Sequence, residues 1–124
     1  MNLILLKSKI HRACITNACL DYEGSLTIDR DLMDVAGMLP YERVLVSNMA
    51  DGGRFETYVI EGPRQSRIIC LNGAAAHLGK VGDLVTIFSF CIVTPEEAKG
   101  FKPRIVVLDR DNKVVKVTGG RNDK

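Results

Sequence analysis

Arg43-Val44-Leu45-Val46-Ser47-Asn48 and Phe55-Glu56-Thr57-Tyr58-Val59-Ile60-Glu61 flank the turn residues Asp51-Gly52-Gly53. This strand–turn–strand pattern decides the fold class. Both arms are rich in β-branched and aromatic residues, and the glycines supply the positive φ that a tight reversal needs. Outward from this hairpin, strand-like stretches recur at 3–6, 10–16, 26–28, 67–71, 84–93, 104–109 and 113–117, with Asp111-Asn112 as a weaker second hairpin turn. Only short helices fit. Asp29 can cap a turn through Leu32, Val35 and Ala36 that Gly37 stops, and Thr94-Pro95-Glu96-Glu97 is a capping box with proline at the first helical position. Asn72 to His77 suits a tight turn or a helix start. Many short strands with few helices make the chain mainly β, a small barrel or sandwich.

The chain has 124 residues, with 46% hydrophobic and 26% charged content. That is room for one core, so residues 1–118 are expected to form a single domain, followed by a polar, flexible tail over 119–124. The net charge is +2, and its lysines and arginines are dispersed, which argues against nucleic acid as the partner. The apolar start gives way to Lys7 and Lys9 after a few residues, too soon for a secretion signal, and no run is long enough to span a membrane. The expected location is cytoplasmic. Cys14, Cys19, Cys70 and Cys91 form no Cys-x-x-Cys pair, so neither a metal site nor a thioredoxin-like site is expected. They are expected to be reduced and mostly buried, with Cys14 and Cys19 on opposite faces of a strand.

Several segments carry chemistry beside a bland alternative. In Tyr22-Glu23-Gly24-Ser25 the serine hydroxyl can attack the preceding carbonyl if the backbone is held under strain, and a glycine before it tolerates unusual dihedrals. The alternative is a plain turn. On a strand, Arg54, Glu56 and Tyr58 share one face and Phe55 and Thr57 the other, so Arg54 can grip a carboxylate with its planar fork. Asn72 with Gly73, Ala74 and Ala75 offers backbone N–H groups clear of bulky side chains. Lys9 and His11 share a face, a cation beside a titratable imidazole; the alternative is a solvated edge strand. His77 has no partner in sequence.

Together these words resemble the pyruvoyl-dependent aspartate 1-decarboxylases (aspartate alpha-decarboxylases). The matches are Lys9-Ile10-His11-Arg12, Tyr22-Glu23-Gly24-Ser25, Gly53-Arg54-Phe55 with Thr57-Tyr58, Asn72-Gly73-Ala74-Ala75-Ala76, and Val81-Gly82-Asp83. They stand in the family's order and spacing from about residue 5 to residue 109. The resemblance implies a six-stranded double-psi β-barrel with short helices, assembled as a homotetramer with active sites between subunits. It implies self-cleavage between Gly24 and Ser25 into 1–24 and 25–124. By the same resemblance, Ser25 is expected to attack the Gly24 carbonyl, Thr57 to steady the intermediate, and Ser25 to become a covalent pyruvoyl group, with no metal. The resemblance further implies that L-aspartate forms a Schiff base with that group and leaves as β-alanine and CO2, for pantothenate and coenzyme A biosynthesis. Lys9 and Arg54 match the substrate-binding positions, with Thr57, Asn72, Gly73, Ala74 and Ala75 lining the pocket. Tyr58 matches the proton donor beside the catalytic Ser25, and His11 and Tyr22 take supporting roles.

The chain departs from the family pattern at Cys19, where Asp or Asn is usual, at Asp21, where His or Asn is common, and at Gln65, where glycine is frequent. The first two adjoin the cleavage point and bear on its rate and on any maturation helper protein. Two other readings compete: an unprocessed, non-catalytic barrel serving as a binding module, and a thiol enzyme using Cys14 or Cys19 with His11.

Overall fold

A computed structural model of the protein describes residues 1–120. Its strands are β1 (Leu3–Cys14), β2 (Asn17–Cys19), β3 (Ser25–Asp29), β4 (Arg43–Asn48), β5 (Arg54–Gly62), β6 (Ile69–Asn72), β7 (Leu84–Val93), β8 (Arg104–Leu108) and β9 (Val114–Thr118). Two short helices, α1 (Arg30–Ala36) and α2 (Pro95–Ala98), and a 3₁₀ turn (Gly73–His77) complete it. The fold is mainly β, as the alternating patterns require. Among the described residues no helix is long and apolar enough to cross a membrane.

The strands form one sheet in the order β2-β6-β3-β5-β4-β7-β1-β8-β9. Most neighbours are antiparallel, but β1–β8, β2–β6 and β3–β5 run parallel. The sheet curls, because its two ends share one core. Ile69 and Leu71 of β6 and Val106 and Leu108 of β8 bury into the same cluster as Ile10, Val46, Val59 and Ile87 from the middle. A flat sheet of this order would hold β6 and β8 about 29 Å apart at the usual ~4.8 Å per strand. This curl is the shape of a small β-barrel. Asn112 stitches the two ends: its Oδ1 accepts from the Cys14 N–H at 2.7 Å, and its Nδ2 donates to Cys14 O at 2.8 Å and Arg67 O at 3.0 Å.

The hairpin that set the fold class closes as expected, with β4 paired antiparallel to β5 and Gly52 at φ 77°. Asp29 caps α1 through the Asp31 N–H, and Gly37 ends it in the left-handed region at φ 75°. The capping box at Thr94 is also formed. Asn112 takes φ 59° in the second hairpin.

The structure corrects several expectations. The two stretches at 3–6 and 10–16 are one strand, carried through by irregularities at Leu6/Ser8 and Ile10/Ala13. That strand is not an edge: β1 lies between β7 and β8. The short β2 was not anticipated, since Asn17-Ala18-Cys19 is exposed throughout and carries no buried alternation. Cys14 and Cys19 therefore end different strands. Of the four thiols only Cys70 is buried; Cys19 is exposed on that outlying strand, and Cys14 and Cys91 are half-buried. At the C-terminus Gly120 donates to Lys102 O at 3.1 Å, while residues 121–124 of the expected tail lie outside the described residues.

Candidate active site

The register assigns each candidate residue to a face. Leu26, Ile28, Leu71 and Val59 point into the core. Their neighbours Ser25, Thr27, Cys70 and Asn72 therefore point to the opposite, outer face, since side chains alternate along a strand. Ser25 stands opposite Asn72 and Thr27 opposite Cys70. The outer face is nonetheless closed over here: Ser25 is 1% exposed and Asn72 3%.

A hydrogen-bonded cluster fills this spot. Asn72 Nδ2 donates to Ser25 Oγ at 3.0 Å and to Thr27 Oγ1 at 2.8 Å. Ser25 Oγ donates back along the chain to Glu23 O at 3.3 Å, so the hydroxyl is folded toward the peptide that precedes it. Cys70 Sγ donates to Asn72 Oδ1 at 3.1 Å. A buried hydroxyl with both a donor and an acceptor partner has a fixed orientation.

Gly73 makes the cluster possible. It sits at φ 65°, and a Cβ there would lie 2.7 Å from Gly24 N, 2.8 Å from Gly24 Cα and 2.8 Å from Tyr22 O. The 3₁₀ turn therefore presses its backbone directly onto the segment before Ser25. Gly24, by contrast, has no positive φ, and a Cβ on it would meet nothing within 4 Å. The glycine that the local geometry demands is Gly73, not Gly24. Ala75 is buried beside it, Ala74 is exposed, and Tyr22 is 56% exposed.

The remaining candidates lie on the same outer face across the neighbouring strands. Tyr58 pairs with Arg43, Glu56 with Leu45 and Arg54 with Ser47. Leu45 and Ser47 pair in turn with Phe88 and Thr86, and Lys9 pairs with Phe88. One row thus runs from Arg54 through Ser47 to Thr86, where His11 Nδ1 lies 3.4 Å from Thr86 Oγ1. The next row runs from Glu56 to Lys9, whose Nζ stands 5.7 Å over the Phe88 ring. Glu56 is ion-paired to Arg43, and the Tyr58 ring is 6.4 Å from that of Tyr41. Burial, then Lys9 and Arg12, push the His11 imidazole below its ordinary pKa. Its hydrogen-bond partner is Thr86 rather than a thiol.

Thr57 alone takes the inner face, with Phe55 and Val59. Val59 pairs with Leu26 in parallel, so Thr57 lies two residues before the start of that ladder on β5. Sequence reasoning missed Thr27 and Cys70. Only the strand register, which brings them beside Asn72, could have marked them.

The aspartate decarboxylase family profile matches residues 1–115. The chain belongs to this family. Among its relatives, the aspartate 1-decarboxylase of Dehalococcoides mccartyi is 54% identical over 94% of each chain. That of Thermoanaerobacter pseudethanolicus is 52% identical over 93% of this chain and 98% of its own. That of Caldicellulosiruptor saccharolyticus is 56% identical over 92% of this chain and 89% of its own. The family words at Lys9, Ser25, Arg54 and Asn72 thus fall on one continuous face of the decarboxylase fold.

Proposed function

We propose that this protein decarboxylates L-aspartate to β-alanine and CO2, for pantothenate synthesis in the cytoplasm, after cutting itself between Gly24 and Ser25. The observation that carries the reading is the buried Ser25 hydroxyl, held between the Asn72 amide and the Glu23 carbonyl. It occurs in a chain more than half identical to proteins named aspartate 1-decarboxylase.

In the self-cleavage, Ser25 Oγ attacks the Gly24 carbonyl carbon and the Gly24–Ser25 C–N bond breaks, giving an ester. Asn72 donates to Oγ while Oγ donates to the Glu23 carbonyl, and the two bonds fix the orientation of the hydroxyl. The pressure of Gly73 on Tyr22 and Gly24 holds the segment in place, and Thr57 steadies the charge that develops on the Gly24 oxygen. Elimination and hydrolysis at the former serine release ammonia and leave a pyruvoyl group. The spot suits such a group: it is buried, faced by donors rather than carboxylates, and cradled by a glycine. The pyruvoyl group supplies an electron sink for the bond lost with CO2.

The chain's own residues do the rest. Aspartate carries two carboxylates, which Arg54 and Lys9 neutralise, Arg54 through a two-pronged grip. His11 supports the site from beside Thr86, with its pKa held down by burial and by Lys9 and Arg12. Tyr58 holds a phenolic proton for the product carbon, and Asn72 with Gly73 to Ala75 lines the pocket.

This reading requires more than one copy. From β3, which carries Ser25, to β1, which carries Lys9, is four strand steps, roughly 19 Å along an outward-curving face. No lysine spans that. Arg54 lies four residues before Tyr58 on the adjacent strand, about 13 Å along its axis. A neighbouring subunit that presents Arg54 and Lys9 to Ser25 closes the gap, which supports sites shared between copies; the count of four, a homotetramer, rests on the family resemblance. A maturation helper protein would act at exposed Cys19 and Asp21, beside the cut.

An intact mass under denaturing conditions tests the cut. Two fragments, 1–24 and 25–124, the latter lacking its amine, are expected, and Ser25→Ala should give one uncut mass and no β-alanine. An active, uncut Ser25→Ala protein refutes the reading.

A further inference from the structure

Cys70 has no part in the chemistry above, yet it touches the group that holds Ser25. Asn72 spends both amide protons on hydroxyls, one on Ser25 Oγ and one on Thr27 Oγ1. Its Oδ1 is left as an acceptor, and Cys70 Sγ is the donor it finds, at 3.1 Å. The thiol's other acceptor, Leu71 O, is more distant at 3.9 Å.

An amide side chain is nearly symmetric in shape, so rotation by a half-turn would exchange its NH2 and its oxygen. In the turned state Oδ1 would face Ser25 and take the serine proton as an acceptor. The serine lone pair would then lose its fixed direction. A thiol donates weakly but accepts more weakly still, so it favours oxygen over NH2 as its neighbour. We propose that Cys70 is a positioning residue for self-cleavage: its thiol fixes the Asn72 amide with NH2 toward Ser25, which aims the Ser25 oxygen at the Gly24 carbonyl.

This assignment rests on the self-processing reading. Burial, and to a lesser degree Cys19, push the Cys70 thiol above its ordinary pKa. It therefore remains a protonated donor across the neutral range. Cys70 is 7% exposed and stands outside the apolar core cluster, so a packing role and a donor role are separable by substitution.

The test compares cutting rates of freshly made precursor, followed by denaturing mass spectrometry, in Cys70→Ala, Cys70→Val and Cys70→Ser. The valine variant fills the space without a donor, should alanine destabilise the fold. Loss of the donor is expected to slow cutting about tenfold, and serine to restore it within about threefold. On an Asn72→Ala background, Cys70→Ala should slow cutting no further, since the two act through one contact. Serine as slow as alanine, or full additivity with Asn72→Ala, overturns the assignment. A second readout does not depend on cutting: the Asn72 side-chain NH2 resonances should shift in Cys70→Val and persist in Cys70→Ser. If the wild-type chain never cuts, the self-processing reading falls and these resonances alone decide Cys70; their invariance in Cys70→Val overturns it.

Discussion

Gly73→Ala should damage this protein far more than Gly24→Ala, although Gly24 is the residue beside the proposed cut. At Gly73 two costs add. A residue with a Cβ held at φ 65° is strained by about 1–2 kcal/mol. Its Cβ would also stand 2.7–2.8 Å from three backbone atoms of Tyr22 and Gly24, none of which is the end of a flexible side chain. Overpacking of that kind costs about 1–3 kcal/mol, so the sum is roughly 2–5 kcal/mol. In a domain of this size that is a fall in Tm on the order of 10 °C. At Gly24 the added Cβ meets nothing within 4 Å and φ is not positive, so less than about 1 kcal/mol is expected. The assay is thermal unfolding of both variants in a Ser25→Ala background, so that cutting does not confound the melt. The cutting rate is then measured with Ser25 restored. Gly73→Ala melting within about 2 °C of its parent and cutting at the parental rate would refute the claim that this glycine presses the cleavage segment into place.

Arg54→Ala should lower kcat/KM for aspartate roughly 10- to 100-fold, the worth of a charge-assisted bond; unchanged kcat/KM would remove Arg54 from the site. Asn112→Ala should lower stability by about 3 kcal/mol, because it strips partners from the Cys14 N–H, Cys14 O and Arg67 O at once; urea unfolding with a reduced midpoint and unchanged m checks it. Asp83 accepts from the Lys80 N–H and from Asn48 Nδ2, which hold its carboxyl below the usual carboxylate pKa. Its contribution to stability is present above the ordinary value near 3.8 and is lost as pH falls through the lower folded value. The stability gap between wild type and Asp83→Asn should therefore be open at pH 7 and narrow in acid, and a gap independent of pH would contradict this.

Strands with two clear arms and a glycine turn were legible, because alternation and positive φ are local properties. β4 and β7 emerge with the expected limits, and Asp29, Gly37 and Thr94 cap as their side chains dictate. β2 was invisible because an exposed strand of three residues has no burial pattern to read. The same distinction holds in the site. That Lys9 and His11, or Arg54 and Tyr58, share faces follows from spacing within one strand. That Asn72 grips Ser25 depends on a pairing 47 residues apart, which no local pattern encodes. The conformational demand at Gly73 was not legible for this reason: the residue forced to φ 65° arrives from the far side of that pairing. Gln65, where the family often has glycine, does occupy the left-handed region, at φ 65°. There the sequence departure marks a real conformational demand.

β1 lies inside the sheet between β7 and β8 and ends at Cys14, ten residues before Gly24. A cut after Gly24 would therefore release no propeptide. The short fragment would stay as a structural staple, bound by its ladders to β7 and β8 and by the Ile10 side chain in the core. The mature protomer would be a noncovalent heterodimer of its own two pieces. Unfolding it would then be a one-way event on dilution, since the intact chain refolds as a first-order process whereas two pieces must find each other at a rate set by their concentration.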